Sequence, residues 1–223
     1  MKAKTKTKAL LMSLCAVLLV AASVLGTMAY LTDSKDVKNT FTVGNVTIKL
    51  DEAKVDEKGN LVKNQDDTLA DRVTQNEYKL LPGHTYTKDP TVTVEAGSEE
   101  SYVRMKVEVE SIDQLKAVFN DASYYGTNGV FLLQKLVGGW DNAKWASVGY
   151  EQSADGKTGT YEFRYYQKTG PATLEPLFTT ITIPGSVDAA GLEKLGNVQI
   201  KITGEAIQAE GFANADAAWK AFK

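Results

Sequence analysis

The chain has 223 residues, with 25 Lys and Arg against 28 Asp and Glu, a single histidine and a single cysteine. That supply is thin for zinc binding, for a cysteine nucleophile or for a histidine-dependent triad. The acidic balance argues against nucleic acid and anionic membranes as partners, since both are polyanionic.

The first 29 residues have the order of a secretory signal. Lys2, Lys4, Lys6 and Lys8 form a basic start, and Ala9–Leu25 follow without a charge. Small residues then precede a sudden polar run, with Thr27 and Ala29 at positions −3 and −1 of a cleavage site before Tyr30. An uncleaved anchor is disfavoured, because 17 uncharged residues reach only about 26 Å across a core of about 30 Å. Lipidation is disfavoured too, because Cys15 lies mid-run rather than at the cut. The mature chain is then 194 residues without cysteine, with 21 basic and 28 acidic side chains. It is long enough to be stabilised by one core without disulfides, and free of the membrane after cleavage.

Strand patterns dominate the mature chain. Phe41–Leu50 alternates but changes phase at Gly44-Asn45, which predicts a bulge or a tight turn there. Asp51–Asn76 is acidic and polar and predicts a long, mobile surface insertion around a small hairpin. Thr91–Val94 follows Pro90 as a strand. In Tyr102–Glu110, Val103, Met105, Val107 and Val109 share one face opposite charged residues. Ser111-Ile112-Asp113-Gln114 predicts a capping box opening a helix to about Asn120. Further strands are predicted at Tyr161–Gln167, Phe178–Ile183 and Val198–Ile202, with a helical turn within Val187–Leu195. Asn214 predicts the cap of a final helix, Ala215–Phe222, with Trp219 and Phe222 on one side. Turn signals at Gly59, Gly83, Gly97, Gly156, Gly170 and Gly185 punctuate the series. The expectation is an all-β, antiparallel, jelly-roll-like sandwich with a few short helices, one of them C-terminal.

Chemistry is hard to place on this chain. His84 sits in a turn-rich stretch with no serine in a nucleophile-elbow setting. Asp66-Asp67 and Asp51-Glu52 lack calcium-loop spacing and read as a solvated acidic loop. Trp140, Trp145, Tyr150, Tyr161, Tyr165 and Tyr166 suggest a carbohydrate platform on first sight, but such residues along sandwich strands are more often core and cross-strand pairs. No catalytic, metal or cofactor set stands out, and the chain reads as a non-enzyme.

Several landmarks taken together resemble a known group. Gly26–Ala29 followed by Tyr30–Asp33 looks like the signal class cut by the SipW-type peptidase of Gram-positive bacteria. Asn39–Val46, Leu81-Pro82-Gly83, Tyr102-Val103-Arg104, Pro176-Leu177-Phe178, Ala206–Phe212 and Ala217-Ala218-Trp219 resemble the TasA/camelysin family, including its BsaA-like biofilm-matrix members. The resemblance implies a jelly roll, secretion, and a fibre subunit of the cell surface or matrix that assembles by donor-strand complementation. It implies self-association or related matrix subunits as partners.

The expected organisation is a signal over 1–29, an arm over 30–45, a sandwich over 46–209 and a docked helical segment over 210–223. The arm is the candidate donor strand, with Val37, Phe41 and Val43 in one phase. Asp33, Lys35, Asp36 and Lys38 make it more polar than an ideal donor, which leaves open a disordered leader or pairing of Phe41–Leu50 within its own subunit. The rival reading is a monomeric adhesive module for a glycan, wall polymer or host protein. A camelysin-like metallopeptidase is the third, without a ligand constellation to support it.

Overall fold

Alternation in the sequence becomes pairing in a computed structural model that describes residues 32–35, 45–119 and 136–222. Three antiparallel sheets and three short helices make up the described residues. The largest sheet has five strands. Strand β1 (Thr32–Lys35) lies at one edge, beside β11 (Gln199–Gln208), then β5 (Ser101–Glu110), β8 (Thr158–Tyr165) and β7 (Trp145–Gln152). Strands β2 (Ile48–Asp51), β4 (Thr91–Val94) and β9 (Ala172–Thr173) form a second sheet. The third contains β3 (Thr85–Thr87), β10 (Thr180–Thr182) and β6 (Val137–Gly138). The expected all-β antiparallel sandwich is the observed architecture.

The inward face of β5 explains the layering. Val103, Met105, Val107 and Val109 are fully buried, together with Ile48, Val92, Trp145, Tyr161 and Leu177 from the surrounding elements. Gly204 on β11 lets the layers approach closely. A Cβ there would stand 3.2 Å from Val92 Cγ2 and 3.5 Å from Ile48 Cδ1, so a larger residue would force the sheets apart.

Helix α1 (Ile112–Val118) starts where expected but not as expected. Ser111 takes a left-handed conformation (φ 56°, ψ 40°) and its side chain caps nothing, so the capping box is not formed. The backbone must turn sharply out of β5 there, and Ile112 N–H donates to the Lys157 carbonyl (2.8 Å). The other two helices are capped in the ordinary way. Asp188 accepts from Gly191 N (2.8 Å) at α2 (Ala189–Leu195), and Asn214 from Ala217 N (2.9 Å) at α3 (Ala215–Ala221). Among the described residues no helix is long and apolar enough to cross a membrane.

The acidic stretch after β2 is held to the body rather than merely solvated. Backbone bridges pair Glu52 with Val73, Val55 with Leu61 and Lys63 with Leu69. Arg72 ties it down, donating to Asp51 Oδ1 (2.5 Å), Asp89 Oδ2 (2.8 Å) and Thr91 Oγ1 (2.8 Å). Gly59 closes its first turn at φ 75°, where a Cβ would meet Tyr86 Cα at 2.7 Å.

The expected signal cut at Thr27, Ala29 and Tyr30 lies outside the described residues. So do Val37, Phe41, Val43 and the Gly44 half of the predicted bulge.

Candidate functional site: the β11 edge and its groove

Strand β11 is longer than its apolar pattern indicates. It begins after α2 with Gln199 and Lys201 exposed and Ile200 and Ile202 half-buried, and it continues through Gly204, Glu205, Ala206 and Ile207. All ten of its residues pair antiparallel with β5. On its other side β1 pairs Thr32 with Ile207, Asp33 with Ala206, Ser34 with Glu205 and Lys35 with Gly204. The N-terminal segment is therefore a sheet edge strand over Gly204–Ile207.

A groove of about 890 Å³ opens beside the first half of β11. Its apolar wall comes from Val198, Ile200 and Ile202, with Leu50, Tyr78 and Leu80 contributed by β2 and the stretch before β3. Its polar rim carries Asp51, Glu52, Asn76 and Lys88. Each of these groups is partnered, Asp51 by Arg72 and Lys49 and the other three among themselves. Lys88 Nζ donates to Glu52 Oε2 (2.7 Å), and Asn76 Nδ2 to Glu52 Oε1 (3.0 Å). Burial pushes the Tyr78 hydroxyl far above its ordinary range, the nearby Glu52 charge adds to this, and its O–H donates to the Thr87 carbonyl (3.1 Å). The rim thus holds the Tyr78 hydroxyl and paired charges around an apolar floor.

On the outer face of the same strand, charge is buried under α3. Arg104 on β5 faces Glu205 directly across the ladder and donates to it, and a second contact reaches Glu162 (3.5 Å). The guanidinium lies 4.3 Å from the Trp219 ring centre and 4.9 Å from that of Phe222. Ile207, Ala218 and Trp219 form a small second core there. Arg164 clamps the helix start through Asp216 (2.6 Å). The predicted pairing of Trp219 and Phe222 on one side of the helix is thus a lid over a charge pair.

The other residues singled out from sequence are structural here. His84 Nε2 meets the Lys58 carbonyl at 2.7 Å and its ring packs edge-on against Tyr86. Asp66 accepts from Thr68 N (3.2 Å) and Thr68 Oγ1 (2.6 Å), while Asp67 pairs with Lys63 (2.7 Å). Both residues hold a turn. Five of the six aromatics do not form a platform: Trp145 and Tyr161 are fully buried, Trp145 stacks edge-on with Tyr165, Tyr150 tilts on Tyr161, and Trp140 meets Phe163. Tyr166 alone among them is well exposed, at 60%. Sequence reasoning missed the groove, because its walls come from segments as distant in sequence as Leu50 and Ile202. The only trace was the run of Val198, Ile200 and Ile202.

No protein-family model, curated protein or solved structure matches this chain.

Proposed function

We propose that this chain is a secreted structural subunit of the TasA/camelysin kind, released by a SipW-type peptidase and assembled into fibres at the cell surface or in a biofilm matrix. In this reading it is not an enzyme, and its partners are further copies of itself or related subunits. The arm from Tyr30 to Val43 of one subunit adds as a strand to the sheet of the next.

One observation carries the reading: Thr32–Lys35 pairs in regular antiparallel register with the β11 edge. A segment freed by signal cleavage thereby has both the geometry and a template for strand addition. Added strands satisfy edge N–H and C=O groups, and their alternate side chains enter pockets. The acidic surface balance of the mature chain keeps such subunits soluble before they assemble.

Negative-stain electron microscopy tests the reading. Protein beginning at Tyr30 is expected to form fibres, and protein beginning at Gly44 is expected to stay monomeric at equal concentration. Monomers from both across pH and concentration would sink assembly and favour the monomeric binding module.

A further inference from the structure

We infer that the groove along the first half of β11 is the seat for residues 36–41 of a second copy of this chain, entered in the register that β1 already sets. The inference rests on the strand-addition reading above and adds the edge, the register and the reason a second copy is needed.

The register comes first. With Thr32 opposite Ile207 and Lys35 opposite Gly204, the same antiparallel pairing carried onward sets Val37 opposite Ile202 and Phe41 opposite Val198. Ile202 and Val198 both line the groove. Opposed residues share a face of the sheet, so the two apolar arm residues fall on the groove side. The polar half of the arm meets Gly204–Ile207, and the apolar half matches the apolar wall.

Chain length then decides whose arm it is. Asn45 accepts from Glu99 N (2.6 Å), and the neighbouring Glu100 accepts from Ala209 N (2.7 Å), which places Asn45 at the Gln208 end of β11. The run from Lys35 to Asn45 is ten residue steps, or about 34 Å fully extended. Following β11 from Gly204 to Gln199 takes about 17 Å, and returning to the Gln208 end takes about 30 Å more. The subunit's own arm cannot do both.

An arm whose body lies elsewhere has no return to make. It displaces an identical β1, so the contacts over Gly204–Ile207 are conserved in the exchange, as in domain swapping. Residues 36–41 then supply contacts that the subunit's own arm cannot make.

The mature chain has no cysteine, so disulfide mapping is clean. Thr40 falls opposite Gln199, which is exposed. Chains from Tyr30 carrying Thr40→Cys are mixed with chains carrying Gln199→Cys, assembled under mild oxidation and run on non-reducing gels. An interchain product is expected only in the mixture, and the double variant is expected to give a ladder in fibres and no internal link as a monomer. Phe41→Ser, in the arm, is expected to lower fibre yield while leaving the monomer's thermal melting unchanged.

Fibres without the link would overturn the edge and register while leaving assembly intact. An internal link in the monomeric double variant would overturn the reach argument. Failure of the unsubstituted chain to form fibres would remove the reading on which the inference rests.

Discussion

Arg104 and Glu205 are each less than a tenth exposed and form a buried charge pair. Removing Arg104 leaves the buried Glu205 with only Lys106 Nζ, at 3.4 Å, and breaking such buried pairs typically costs about 3–5 kcal/mol. Arg104→Ala is therefore expected to lose about that much in urea unfolding, whereas Arg104→Leu with Glu205→Leu recovers most of it. A double variant as weak as the single would show that the charges themselves are needed. Glu175 behaves differently, being an exposed carboxylate that accepts from Lys144 (2.7 Å) and Tyr165 (2.6 Å). Lys144 first, and Tyr165 second, hold its pKa at about 2 against an ordinary 4.5. A depressed carboxylate stabilises the fold above its unfolded pKa and loses that effect as pH falls through the folded value. The stability advantage over Glu175→Gln is thus expected to be complete above about pH 4.5 and gone near pH 2, as thermal melts at stepped pH will show.

At the scale of elements, the stretch from Ala53 to Asn76 is tied to the second sheet chiefly through Arg72, beside Asn76 and the backbone bridges within it. Arg72 reaches Asp51 on β2, Asp89 before β4 and Thr91 on β4, so it pins the insertion to the paired strands β2 and β4. Arg72→Ala is expected to release amide protection over Ala53–Asn76 in hydrogen exchange while β5 and β8 stay protected, because local opening follows the loss of local anchors. Unchanged exchange would assign the anchoring to the backbone bridges alone. This is also where composition misled. A polar segment of few apolar residues reads as mobile, but Arg72 and its partners are 17 to 21 positions apart, beyond any local pattern.

Across the whole molecule, what could be read from sequence was what is periodic. The β5 alternation, the Thr91–Val94 strand and the cap at Asn214 all depend on neighbours a few residues away. Strand β7 escaped notice because a bulge between Ser147 and Gly149 shifts its pairing with β8 and breaks the alternation. The second half of β11 escaped because Gly204 and Glu205 look wrong for a strand until Val92, Ile48 and Arg104 are set beside them. The groove was illegible for the same reason, since it exists only once distant segments meet.

One adjacency also bears on how the protein can be handled. Thr32 pairs opposite Ile207, and Ile207 packs with Trp219 of α3, so the first described strand and the last helix meet at one end of the sheet. A fluorescent protein or affinity tag joined after α3 would stand beside the strand that assembly must exchange. The turn between Ser153 and Lys157 joins β7 to β8 at the opposite end, since Thr158 pairs with Glu110 and Glu110 with Gln199. A small epitope inserted there is set off from the exchanging edge by β5 and β8 rather than placed beside it, and reporter position becomes a choice the fold has already made.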